Sequence, residues 1–162
     1  MSGPSPAAIE VLPAHSGERA ALDNLFQLYI HDFSEFWANR PEGELTDDGR
    51  FEPYPDLDAY WREADRVPLL LRLDGRLVGF ALINAVGHGG GPVDRNMAEF
   101  FVARKHRRGG LGTAAARAVF SGHPDVLDTE ELDVASPDWN GPVIRFRIGP
   151  SSPSAPSAAG RP

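Results

Sequence analysis

At 162 residues, 41% of them hydrophobic, the chain is long enough for one cored domain and too short for two comfortable ones. A net charge of −7 disfavours a broad nucleic-acid surface, and the absence of cysteine removes disulfides and thiolate metal sites. No run approaches the roughly 18 apolar residues of a membrane span, and Met1-Ser2-Gly3-Pro4-Ser5-Pro6 lacks the basic and apolar regions of a signal peptide, so a cytoplasmic protein with no membrane partner is expected.

Residues 1–7 read as a disordered N-terminus, and the apolar run at 8–12 as a first strand. Over residues 16–37 the apolar positions Leu22, Leu25, Phe26, Tyr29, Phe33, Phe36 and Trp37 follow helical spacing. Ser16 is a reasonable N-cap, and Pro41 and Gly43 lie just past the end. A polar, turn-rich stretch over 39–55 leads to Leu57, Tyr60, Trp61 and Ala64, which suggest a shorter second helix. Two apolar strands, 67–73 and 77–83, flank Asp74-Gly75, a strong signal for a tight hairpin. After a glycine loop at 87–92, a strand over 97–103 runs into Arg104-Lys105-His106-Arg107-Arg108-Gly109-Gly110-Leu111-Gly112, and a helix with an alanine-rich face follows over 111–120.

A strand delivered into glycine-rich backbone at a helix N-terminus is the physical recipe for holding a phosphate. The free amides of the first turn point outward, the helix dipole adds partial positive charge, and glycine lets the backbone approach the anion closely. Neither a Walker loop nor a Gly-x-Gly-x-x-Gly dinucleotide fingerprint is present. On these residues alone an ordinary glycine-rich turn stays open, with some of the five basic side chains simply solvated.

Read as Val-x-x-x-x-Arg-x-x-Gly-x-Gly, with Val102, Arg107, Gly110 and Gly112 at the signature positions, the stretch resembles the acetyl-CoA signature of the GNAT N-acetyltransferases. The order of elements over roughly residues 8–121 is similar to that family's cofactor half. Residues 26–37, Tyr60-Trp61 and Gly79-Phe80-Ala81-Leu82 look like a group of bacterial predicted acetyltransferases. The resemblance implies an α/β, GNAT-type (acyl-CoA N-acyltransferase) fold: a mixed, mostly antiparallel sheet flanked by helices, spanning residues 8–148. It also implies acetyl-CoA as cosubstrate. Backbone amides near Phe101 and Val102 would polarise the thioester carbonyl. Those of Arg108, Gly109, Gly110, Leu111, Gly112 and Thr113 would hold the pyrophosphate, with Arg107 adding charge.

The C-terminal part departs from the family pattern. Residues 130–134 could form a strand, and Asp138-Trp139-Asn140-Gly141-Pro142-Val143-Ile144-Arg145-Phe146 resembles the family segment that opens its last helix. Arg147 then stands where that pattern has the Tyr that protonates the leaving thiolate, and Gly149-Pro150 stop the helix. Residues 149–162, rich in Ser, Pro and Ala, read as a disordered tail, and the family's last two strands have no candidate. A truncated, a frame-altered and a naturally divergent terminus all stay open. Tyr29, Tyr54 and Tyr60 are the tyrosines left to replace the donor, with nothing in the sequence to choose among them.

Glu99 is the best single candidate for the catalytic base, lying on the cofactor strand among Met97, Ala98, Phe100 and Phe101, where partial burial would favour proton uptake. A carboxylate on the outer face of the sheet is the competing reading. Tyr29, Asp32 and Glu35 sit in the helix where the family lines its acceptor pocket, and would suit a cationic amine; a solvated acidic face is the alternative. No metal is expected, because His15, His31, His88, His106 and His123 never fall at His-x-x-x-His spacing. His88-Gly89-Gly90-Gly91 resembles a hydrolase oxyanion loop, but no Gly-x-Ser-x-Gly nucleophile accompanies it. The sequence thus points to an acetyl-CoA-dependent N-acetyltransferase acting on a primary amine of a small molecule or peptide. A catalytically impaired CoA-binding protein of the same fold and a phosphate-binding or protein-interaction module remain as alternatives, and a homodimer stays open.

Overall fold

Among the described residues four antiparallel strands, paired in the order β1-β2-β3-β4, carry the architecture: β1 Ile9–Pro13, β2 Val67–Leu73, β3 Arg76–Val86 and β4 Pro92–Val102. The structure, a computed structural model, describes residues 8–37, 39–86 and 92–122, of which 92–94 by backbone alone. The expectations for residues 1–7, for a strand at 130–134, for a helix from 138 and for a tail from 149 fall outside the described residues.

The β2–β3 turn follows directly from its dipeptide. Asp74 and Gly75 both take positive φ, 49° and 77°, as a type I′ hairpin requires. Register then places Leu70 opposite Phe80 and Phe80 opposite Phe101. Strand alternation sends Leu70, Phe80, Leu82 and Phe101 to one face, and Leu69, Leu71, Ile83 and Val102 to the other.

Among the described residues, each face takes one α-helix. Helix α1, Arg19–Ser34, buries Leu22, Leu25, Phe26 and Ile30 on the first, where the rings of Phe26 and Phe80 stack at 4.6 Å. Helix α2, Leu111–Gly122, presents Ala115 and Val119 to the second. Each large apolar side chain sealed in this way stabilises the fold by about 1.5–3 kcal/mol relative to an exposed one.

Three boundaries differ from those expected. Ser16 opens a short 3-10 turn, Ser16–Glu18, so the α-helix starts only at Arg19; the Glu18 carboxylate accepts the His15 N–H at 3.2 Å and fixes that entry. Residues 57–61 form a single 3-10 turn, Leu57–Trp61, because five residues between turn-rich flanks are too few to offset the cost of α-helix nucleation. Strands β3 and β4 run further than their apolar cores, pairing as far as Val86 opposite Pro92; the polar residues Arg95, Asn96 and Asn84 in that arm hide it from a reading by apolar runs.

Candidate functional site

The site begins where β4 ends. Ala103 N–H donates to the Val78 carbonyl at 2.8 Å, and the Phe101 carbonyl faces β3, where a Cβ on Gly79 would strike it. Alternation along the strand therefore turns the Val102 N–H and C=O to the opposite edge. Among the described residues no strand pairs with that edge. Of the two residues expected to offer backbone to a thioester, Val102 has its amide on the open edge. Phe101 has its polar backbone committed to the sheet and contributes a ring.

Beyond Val102 the chain makes a 3-10 turn, Arg104–His106, and enters α2 through a loop with Arg108 at φ 69° and Gly110 at φ 81°. Ala114 N–H reaches the Gly110 carbonyl at 3.0 Å, which closes the first turn of α2. Helix geometry leaves the N–H groups of Leu111, Gly112 and Thr113 without partners inside the helix. A Cβ on Gly109, Gly110 or Gly112 would meet nothing within 4 Å, so open space fronts all three glycines. Arg104, Lys105 and Arg108 are exposed around them. This donor set fits an anionic group: oriented N–H dipoles, a helix N-terminus and local positive charge on an acidic chain.

A cavity of about 870 Å³ joins these parts. Phe100, Phe101 and Val102 of β4 form one wall, Arg108, Gly110 and Thr113 of the turn another, and Asp32, Phe33, Glu35 and Phe36 at the end of α1 a third. Its chemistry is divided, with charge and amides at the turn and aromatic rings beside β4.

Glu99 lies on the inner face of the sheet, beneath α1, and not on an outer face. It is half-buried and accepts hydrogen bonds from the Tyr54 hydroxyl at 3.0 Å and from the Tyr29 hydroxyl. Burial first, and the adjacent Glu99 charge second, push both phenols above the ordinary tyrosine value. They stay protonated and donate. Glu99 is not itself on the wall of the cavity; Phe101, two residues along on the same face, is. Tyr60 goes elsewhere, accepting the Asn84 amide at 3.2 Å.

The sequence places Asp32 and Arg107 in two different subsites, and the fold joins them. The Asp32 carboxylate accepts from Arg104 Nε at 2.8 Å and from an Nη of Arg107, while Arg107 Nε donates to the Val102 carbonyl at 2.6 Å. The Arg107 guanidinium also lies 5.3 Å from the centre of the Phe101 ring. Glu35 is exposed at the rim of the same cavity. Sequence reasoning missed the pairing of Tyr54 with Glu99 and that of Arg104 with Asp32. Neither leaves a local signal, because each joins distant segments.

The sequence profile of the acetyltransferase (GNAT) family matches residues 22–141. No curated protein is significantly similar in sequence. Among solved structures, an acetyltransferase from Thermus thermophilus is 18% identical with a TM-score of 0.50, the match covering 73% of this chain and 71% of that one. A ribosomal-protein-alanine N-acetyltransferase from Brucella melitensis biovar Abortus 2308 is 18% identical with a TM-score of 0.46, covering 87% and 99%. A GNAT family acetyltransferase from Brucella melitensis, solved in complex with acetyl-CoA, is 17% identical with a TM-score of 0.48, covering 71% and 68%. At such identities the likeness bears on the fold alone.

Proposed function

This chain belongs to the acetyltransferase (GNAT) family, and from that premise we propose that it transfers an acetyl group from acetyl-CoA to a primary amine of a small molecule or peptide. One observation carries the reading: the edge of β4 at Val102, unpaired among the described residues, runs straight into a glycine turn whose Cβ positions front open space. The amides of residues 108–113 are assigned to the pyrophosphate, and the exposed Lys105 and Arg108 supply the compensating charge. Val102 N–H is the donor assigned to the thioester carbonyl, where it would stabilise negative charge as it develops on oxygen.

In the transfer, the amine nitrogen forms a bond to the acetyl carbon, the carbon–sulfur bond breaks, and the thiolate takes up a proton. Glu99 is assigned as the base that accepts the amine proton, directly or through water, from its place between Tyr29 and Tyr54. Tyr29 and Glu35 are assigned to the acceptor side, where the Glu35 carboxylate would favour a cationic amine; Asp32, the third residue expected there, is engaged by Arg104 and Arg107. A bacterial, cytoplasmic setting is part of the same proposal. Among the described residues no helix is long and apolar enough to cross a membrane.

A second reading keeps the fold but not the chemistry: a CoA-binding protein without turnover, favoured by Arg147 at the place of the family's tyrosine. Calorimetric titration of CoA, paired with a thiol-release assay over a panel of primary amines, separates the two. The variant Gly112→Asp is the decisive control. Its new side chain meets open space, and an acid in the first turn of a helix is favourable for folding, yet it puts a carboxylate among the anion's amides. Thermal stability is expected to hold while CoA binding disappears. Binding retained in that variant overturns the site, and binding without thiol release selects the second reading.

A further inference from the structure

On the acetyltransferase reading, we propose that Asp32 is a positioning residue for the acyl donor, acting through Arg107, and does not recognise the amine. Asp32 stands in the last turn of α1, where the helix dipole disfavours a carboxylate, and its side chain is only 13% exposed. Two guanidinium groups answer that charge, so little is left to attract a cationic acceptor.

Arg107 is held at three points. Its Nε donates to Val102 O at 2.6 Å, an Nη donates to Asp32, and its plane lies over Phe101. A side chain so fixed cannot also swing out to a phosphate. It works as a strut between α1, the end of β4 and the glycine turn. Two consequences follow. The strut occupies the Val102 carbonyl, so among the described residues the open edge presents the Val102 N–H to a ligand with no competing acceptor beside it. It also anchors the residue just before Arg108, whose φ of 69° is a conformation that side chains rarely adopt. The amides are thereby set before the anion arrives, and a preorganised site binds more tightly than one that must order on binding.

A strut and simple electrostatics act with opposite sign at this position. Removing a negative charge beside a phosphate site should tighten anion binding; removing a strut should weaken it. The test is calorimetric titration of CoA into the full chain for the wild type, Asp32→Asn, Arg107→Gln and the double variant, with circular-dichroism melts verifying that each is folded. Asp32→Asn and Arg107→Gln are each expected to raise the Kd for CoA about tenfold, and the double variant no further than the larger single, as coupled residues do. Asp32→Glu is expected to recover part of the loss. In turnover, Asp32→Asn should raise the KM for acetyl-CoA while leaving the KM for the amine and the kcat at saturating acetyl-CoA unmoved.

An unchanged or lower Kd in Asp32→Asn, additive losses in the double variant, or a raised KM for the amine overturns the strut. A wild type that does not bind CoA overturns the acetyltransferase reading and this role with it. Binding by the wild type that none of the variants alters overturns this role alone.

Discussion

Glu99 sits on the inner face of the sheet with two phenols for company, and that setting decides what the residue can do. Tyr29 and Tyr54 solvate its carboxylate in place of water, which keeps it half-buried without leaving a bare charge. If it takes the amine proton, Glu99→Gln is expected to lower kcat by about a hundredfold, in keeping with the usual effect of a positioned base, while the Kd for CoA stays put; thiol release and calorimetry check the pair. The phenols also carry a pH signature. Their raised pKa values mean that the fold favours the protonated forms, whereas the unfolded chain ionises them near the ordinary value of 10.0. That contribution is fully present below about pH 10 and is lost as pH climbs above it. Tyr54→Phe is therefore expected to melt lower at neutral pH, through the lost hydrogen bond, but to show a shallower fall in Tm above about pH 10.

Strands β3 and β4 depend on one missing side chain. Gly79 lies opposite Val102, and a Cβ there would overlap the Phe101 carbonyl oxygen and stand 3.1 Å from Val102 Cα. Backbone cannot yield as a flexible side chain does. Gly79→Ala is therefore expected to destabilise by about 1–3 kcal/mol, the usual effect of overpacking a tight site, seen as a lower urea midpoint. Because the strain falls on the residue whose N–H faces the open edge, CoA affinity should drop with it. Helix α2 behaves differently: Gly112 in its first turn fronts open space without a positive φ, so a substitution there acts on the ligand and not on the fold. The two glycine roles look alike in sequence. Gly79 serves a close approach between strands, whereas Gly110 serves a positive φ and a clear path to the amides.

For the molecule taken together, the elements and their order are legible in the chain alone. Helical spacing from Leu22 to Phe33 marks the buried face of α1, Asp74-Gly75 dictates the hairpin, and the glycine run after Val102 marks a turn at a helix start. These are local properties, written in dihedral preferences and in periodicities of 3.6 and 2 residues. Boundaries are less legible, because the outer arms of β3 and β4 are polar and are held by pairing with each other. Which side chains meet is settled only by packing in three dimensions. Tyr54 reaches Glu99 across 45 positions of chain, Tyr29 reaches it across 70, and Asp32 reaches Arg107 across 75. Strand register likewise chose Val102 over Phe101 for the open edge, since a shift of one residue reverses every polar group along a strand. Such contacts leave no trace in local spacing, because they arise where separate elements are packed against one sheet.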